Sequence, residues 1–239
     1  MSYDSVLASY SPSAWYKLND TTGSTVADSS GNGYTGTVTG SPTFGQPGPI
    51  LSNPSDTSIQ FTGSQYITSS APAPLTNASM VGWFYQPVRQ GNDFCFGYRT
   101  SLGSSSTEFY VLCTNSSGTL ECRFNNVLGT SEVTINPVTL SAWHMISLRY
   151  NTSTFYVDVD GTPYSNIAAS GVLATDTTFA IGSWSTNGPV FYYIGYLAQI
   201  AVFPVFLTGL QISTLYSASL GSTVLNLPPS YSRRAIRVT

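Results

Sequence analysis

Residues 143–161, Trp143-His-Met-Ile-Ser-Leu-Arg-Tyr150-Asn-Thr-Ser-Thr154-Phe-Tyr-Val-Asp-Val159-Asp-Gly161, read as two successive strands and the start of a third. Trp143–Tyr150 and Thr154–Val159 are dense in aromatic and β-branched side chains, which suit a pleated, half-buried surface. The Asn-Thr-Ser between them breaks the run. Asp160-Gly161 then supplies a turn on which a hairpin closes, because both residue types tolerate positive φ.

The same pattern extends upstream. Strand-like runs at 94–98, 108–113, 119–124 and 132–135 are each separated by Asn, Ser, Gly or Pro. The segment 80–88, Met-Val-Gly-Trp-Phe-Tyr-Gln-Pro-Val, is rich in aromatic and apolar residues and predicts a central strand that ends at Pro87. Before it, Ser58-Ile-Gln-Phe-Thr62 alternates with period two, and Gly63 separates it from Tyr66-Ile-Thr68, which together predict a hairpin or bulged strand. Pro and Gly recur from 41 to 56 and argue against regular pairing there. A short strand is expected at 35–38, and residues 3–18 read as a short helical turn followed by a strand.

Downstream, strands are predicted at 178–181 and 194–203. Residues 207–217 form the best helix candidate, with Thr208 as N-cap and Leu210, Ile212, Leu215 and Tyr216 on a shared face. Regularly spaced strands with turn signals predict an all-β, two-sheet antiparallel sandwich over residues 1–220, with one short C-terminal helix. Beyond Gly221 the composition changes to Pro228-Pro229 followed by Arg233, Arg234 and Arg237. This predicts an extended arm, 221–239, either disordered or docked on a neighbouring subunit, with docking the preferred reading.

Composition bounds the function. Apolar residues are 41% and aromatics 13% of the 239, enough for a large core without metals or disulfides. Charged residues are only 8%, against about 25% in an average soluble protein, and the net charge is -3. Such a chain does not capture nucleic acid electrostatically. No secretory signal is read at the N-terminus and no run of about 18 apolar residues occurs, so no membrane insertion is expected. Three cysteines preclude a complete disulfide framework, and Cys95 is the expected odd thiol. Cys113 and Cys122 flank Asn115-Ser-Ser-Gly118. A loop at Ser117-Gly118 sets them directly opposite and a loop at Ser116-Ser117 sets them diagonally, so a bridge depends on the register.

Catalytic chemistry has few carriers. His144 is the one histidine, inside an apolar strand beside Trp143. Asp158 and Asp160, spaced by two, are the closest approach to the paired acids of a glycosidase, but no glutamate accompanies them. No catalytic residue is assigned. Carbohydrate recognition needs exposed rings flanked by amides and hydroxyls, because the apolar face of a sugar packs on a ring while its hydroxyls seek fixed partners. Tyr98, Trp184, Tyr192, Tyr193 and Tyr196, with Asn187, are the candidates. Trp15, Trp83 and Trp143 are assigned to the core.

Several segments, in order over residues 10–218, resemble the laminin-G-like, concanavalin A-like jelly-roll family. They are Ala14-Trp-Tyr-Lys-Leu18, Ala27-Asp-Ser-Ser-Gly-Asn-Gly33, Ser58-Ile-Gln-Phe-Thr-Gly63 and Met80-Val-Gly-Trp83. Trp143-His-Met-Ile-Ser-Leu148, Phe155-Tyr-Val-Asp-Val-Asp-Gly161 and Ile194-Gly-Tyr-Leu-Ala-Gln-Ile-Ala-Val-Phe203 complete the series. The resemblance implies a jelly roll whose faces or edge loops often bind carbohydrate. Relatives often hold a structural calcium ion, for which Asp28 and Asn32 would be the candidate ligands here, but the loop reads first as a plain turn and no cofactor is expected. Ala198-Gln199 stands where many relatives carry acidic residues.

The opening Tyr10-Ser-Pro-Ser-Ala-Trp-Tyr-Lys-Leu-Asn19 is similar to that of minor tail proteins of phages infecting actinobacteria. This implies a non-enzymatic virion protein assembled in the host cytoplasm, in the tail or, alternatively, as a capsid decoration protein of the same fold. Its implied partners are other virion proteins, further copies of itself and a host-surface glycan.

Overall fold

The computed structural model describes residues 1–71, 76–88, 93–99, 108–113, 119–126, 129–135, 138–171, 178–183 and 191–221. The first described elements are α1 (Tyr3–Ser9), β1 (Ala14–Tyr16), β2 (Thr25–Val26), β3 (Gly36–Thr39), β4 (Thr43–Pro47), β5 (Thr57–Thr62), β6 (Tyr66–Ser69) and β7 (Ala78–Tyr85). Next come β8 (Asp93–Arg99), β9 (Glu108–Cys113), β10 (Leu120–Asn126), β11 (Gly129–Ile135) and β12 (Trp143–Tyr150). The last are β13 (Thr154–Val159), β14 (Thr162–Ala168), β15 (Phe179–Ile181), β16 (Ile194–Phe203) and α2 (Gly209–Leu220).

Sheet one runs β14-β13-β12-β7-β16-β5-β4, with β1 added against β16, and sheet two runs β11-β10-β9-β8-β15-β6-β3-β2. The architecture is the two-sheet antiparallel jelly-roll sandwich expected from the strand pattern. As predicted, β7 is central, between β12 and β16, and β13 turns into β14 through Asp160 (φ 50°) and Gly161 (φ 74°). Two consecutive positive φ values match the right-handed strand twist, which is why an Asp-Gly pair sits there.

Two expectations are corrected. Residues 58–62 and 66–68 do not form a hairpin: β5 pairs with β16 and β4 in sheet one, while β6 pairs with β15 and β3 in sheet two. Gly63 (φ 101°) turns the chain across the sandwich. Gln65 fixes this corner, its Oε1 accepting from the Thr62 amide at 2.8 Å and its Nε2 donating to the Thr62 hydroxyl at 2.8 Å. The Pro- and Gly-rich stretch 41–56 nevertheless contains β4, an edge strand with a bulge between Thr43 and Gln46. An edge position tolerates Pro47 because one side of the strand has no partner to bond.

Alternate residues of β7 face two different cores. Ala78, Met80 and Phe84 join Phe61, Phe96, Phe109, Leu148, Phe155 and Leu197 between the sheets. Val81 and Trp83 point the other way, into a second cluster with Trp15, Met145, Ala201 and Phe203 that α1 and α2 cover through Tyr3, Val6, Leu7, Ile212 and Leu215. Helix α2 begins at Thr208, whose hydroxyl accepts from the Gln211 amide while the Gln211 side chain accepts from the Thr208 amide. That reciprocal cap stops fraying at the helix entry. Leu210, expected on the buried face, is 76% exposed; the buried stripe is Ile212, Leu215 and Ser219.

Buried polar groups tie these layers together. The Arg149 guanidinium makes a two-pronged ion pair with Asp158 at 2.7 and 2.8 Å and donates to the Leu207 carbonyl at 3.1 Å. Gln199, the extra residue of a bulge in β16 (φ 51°), accepts from the Trp15 indole at 3.0 Å and donates to Asp56 at 2.7 Å. Tyr3 accepts from the Trp83 indole at 3.1 Å. In sheet two the register sets Cys113 opposite Leu120 and Cys122 opposite Val111, so the two cysteines are diagonal neighbours, and Cys122 is a buried thiol.

The sheets approach closely where Gly82 faces Phe96, since a Cβ at this glycine would collide with the Phe96 ring. Gly82→Ala is expected to cost about 1–3 kcal/mol, the usual penalty for overpacking a filled core, as a lowered urea midpoint with unchanged slope. Burial pushes the carboxyls of Asp56 and Asp93 up to about 6, against partial relief from the amides of Gln199 and Gln86. Their folded values exceed their unfolded ones, so each contributes stability that is complete below about pH 4 and is lost as pH rises through 6. Urea midpoints of Asp56→Asn should therefore decline less than those of the parent between pH 4 and 6.5. An identical decline would refute the Asp56 assignment.

Candidate functional site

The helical cover over sheet one stops short of one end of the sheet. Along β7 every residue is buried from Ala78 to Phe84, and Tyr85 alone is half-exposed. The register carries this row sideways, pairing Tyr85 with Trp143 of β12 on one side and Tyr196 of β16 on the other. Three aromatic side chains thus stand abreast on the outer face, where the alternation of each strand directs them. All three are half-buried.

Their rings enclose space. Tyr85 meets Tyr196 at 5.3 Å and 89°, Trp143 at 5.7 Å and 59°, and Trp143 meets Tyr196 at 6.4 Å and 62°. Such edge-to-face contacts are favourable between ring quadrupoles and fix the rings at steep mutual angles. With Gln46 and Pro47 of β4 they line a cleft of about 220 Å³. The Trp143 indole N–H and the Tyr85 and Tyr196 hydroxyls make no hydrogen bond among the described residues, which leaves them for solvent or a ligand.

The backbone beneath is closely packed. Gly195 (φ 147°) lets β16 pass so close to the Tyr85 carbonyl that any Cβ there would strike it. The same carbonyl accepts from the Tyr193 hydroxyl at 3.0 Å. The amide of Ser141, in the turn before Trp143, donates to the carbonyl of Gln86 at 3.0 Å.

Of the sequence-derived carbohydrate candidates, Tyr196 lines this cleft. Tyr193 does not: it is fully buried, edge-on to Phe61 at 6.4 Å, and supports Tyr85 from below. Tyr98 is also fully buried, packed against Phe179 at 4.9 Å between the sheets, because its parity in β8 points it inward. Neither can offer a surface ring. Tyr192 is half-buried against Tyr66 at 6.4 Å, apart from the cleft. Trp184 and Asn187 lie outside the described residues, as do Arg233, Arg234 and Arg237 of the arm.

Trp143, assigned to the core from sequence, is the main correction. It flanks the helix-covered cluster but keeps one side open. Tyr85, Gln46 and Pro47 went unselected. The signal for Tyr85 and Trp143 was their parity, shared with buried Trp83 and Met145. What the sequence lacked was how far the helices reach.

The Asp28 loop is built for another purpose. Asp28 Oδ1 accepts from the amides of Trp15 at 3.0 Å and Ser30 at 2.9 Å, and Oδ2 from the Tyr34 amide and the Ser30 hydroxyl, both at 2.9 Å. Burial pushes this carboxyl upward, but those donors outweigh it and hold it below the usual carboxylate range. Asn32 turns its Nδ2 inward, donating to the Ser13 carbonyl at 3.0 Å. Both carboxylate oxygens are thus engaged by internal donors, whereas calcium is held by six to eight oxygen ligands. Among the described residues no three His, Cys, Asp or Glu side chains gather at one point.

The acids considered for glycosidase chemistry are likewise committed. Asp158 is buried in its pair with Arg149 and also accepts from Ser147 at 2.7 Å. Asp160 accepts from the Met145 amide at 2.9 Å and contacts His144 Nδ1 at 2.8 Å. The hydrogen bond to Asp160 raises the His144 pKa against the opposing effect of burial.

No curated protein sequence matches this chain. Among solved structures, the binding domain of botulinum neurotoxin serotype G superposes with TM-score 0.65 at 12% identity, over 86% of this chain and 50% of that one. The binding domain of botulinum neurotoxin DC, in complex with SialylT, gives 0.64 at 11%, over 89% and 52%. The chain thus spans about half the length of these toxin domains. Domain 4 of an extracellular arabinanase from Geobacillus stearothermophilus, in complex with arabinotriose, gives 0.65 at 14%, over 86% and 98%. At such identities the likeness is one of fold. The sequence itself is matched over residues 61–213, more than half its length, by the Laminin_G_3 model of the concanavalin A-like lectin/glucanases superfamily, and the chain belongs to that family.

Proposed function

We propose that this chain is a non-catalytic carbohydrate-binding module whose site is the cleft between Tyr85, Trp143 and Tyr196. The observation that carries the reading is the half-exposed aromatic row on the outer face, beside the cluster that α1 and α2 cover. Rings at fixed angles offer apolar walls to the C–H faces of a sugar, and the indole N–H, the phenols and the Gln46 amide offer directional partners to its hydroxyls. Solved neighbours of this fold include domains captured with arabinotriose and with SialylT, which supports the use of such a sandwich for glycans. The absence of catalysis in the proposal rests on Asp158 and Asp160, both held by internal partners.

The N-terminal likeness to minor tail proteins supplies the setting: a virion surface, assembled beside other virion proteins and further copies, with the cleft turned to a host glycan.

Trp143→Ala is expected to weaken saccharide binding by at least about 30-fold, the loss of roughly 2 kcal/mol typical of a central aromatic anchor. Tyr164→Ala, at an exposed ring on β14, should leave binding unchanged. Titration by intrinsic fluorescence and calorimetry checks both. Binding that survives Trp143→Ala and Tyr196→Ala but vanishes with Trp184→Ala would move the site elsewhere.

A further inference from the structure

Resting on the carbohydrate reading above, we infer that the cleft selects a single uncharged sugar ring and rejects acidic sugars. Among the described residues its lining is Gln46, Pro47, Tyr85, Trp143 and Tyr196, with no Asp, Glu, Lys, Arg or His side chain. A uronic or sialic carboxylate entering it would exchange water for aromatic walls and neutral donors. Desolvating an anion without a cationic partner is among the costliest events in recognition.

The described cations are committed elsewhere. Among the described side chains Lys17 pairs with Asp4 at 2.8 Å, Arg123 with Glu121 and Glu132 at 2.7 Å each, and Arg149 with Asp158 at 2.7 Å. Each is held by a carboxylate within the fold, and Arg149 is buried. A neutral sugar has no such requirement, since its hydroxyls are satisfied by an indole N–H, phenols and an amide.

Size limits the ligand to one ring. The cleft holds about 220 Å³, below the roughly 300–1,000 Å³ of sites that enclose drug-sized molecules. The rings meet at 59–89° rather than lying in one plane, so they wall a pocket instead of paving a track along which successive units of a polysaccharide stack. Gly195 and the Tyr193 hydroxyl hold the Tyr85 backbone, and the edge contacts between the rings favour the closed arrangement. A one-ring site has a roughly millimolar Kd, given the small number of atoms engaged, and firm attachment then comes from several copies acting together.

The test is a titration of the full chain, by calorimetry and tryptophan fluorescence, with methyl glycosides of glucose, galactose, mannose and N-acetylglucosamine. Glucuronic, galacturonic and N-acetylneuraminic acids, and neutral tetrasaccharides of the same sugars, complete the panel. At least one neutral monosaccharide should bind, every acidic sugar at least about 10-fold more weakly, and the tetrasaccharide within about 3-fold of its monomer. An acidic sugar binding as well as the best neutral one, with loss on Trp143→Ala, overturns the charge selection but leaves the module reading intact. A tetrasaccharide more than about 10-fold tighter overturns the single-ring limit in the same way. If nothing in the panel binds, the carbohydrate reading itself fails and this inference goes with it.

Discussion

The burial of both faces of β7 is the constraint on which the rest of the molecule depends. A central strand with one wet face needs only a partner sheet, whereas Met-Val-Gly-Trp-Phe over 80–84 demands cover above and below. The inner face is met by sheet two, with Gly82 admitting the Phe96 ring. The outer face is met by α1 and α2, which bring Tyr3 and Tyr216 onto Trp83. Gln199, Asp56 and the Arg149–Asp158 pair then satisfy the polar groups that this double burial traps. The aromatic cleft lies where this second layer runs out.

Much of the sandwich was legible in the sequence because its signals are local. Period-two alternation, the Asp160-Gly161 turn and the Thr208 cap each act within a few residues, and each took the form that local stereochemistry prescribes. Two assignments failed where a long-range partner decided. Ser58–Thr62 and Tyr66–Thr68 look like a hairpin until the corner at Gly63 and Gln65 sends them to opposite sheets, and β4 is hidden by a proline that only an edge strand can carry. The candidate site was read less well for the same reason. Exposure of a tyrosine in a strand depends on what lies across from it, so Tyr193 and Tyr98 were indistinguishable from Tyr196 until their neighbours were known, and Trp143 resembled Trp83 in everything but the reach of the helices.

Much of the described charge is engaged within the fold. Lys17, Arg123 and Arg149 each meet a carboxylate, Asp28 organises a turn, and Asp56 and Asp93 are buried beside amides. The described cleft presents amide, hydroxyl and ring. Recognition by such a surface depends on shape and hydrogen-bond direction, and it changes little with ionic strength because there are few fixed charges to screen.

Both margins of sheet one are irregular. At one, β4 carries a bulge and ends in Pro47; at the other, β14 begins with Thr162-Pro163 opposite a shift of register in β13. A regular margin is a template on which another chain can add a strand, and bulges and prolines are what spoil it. The bulges and prolines at both ends of sheet one therefore work against the addition of a further strand there, and leave its faces, not its margins, as the surfaces open to recognition.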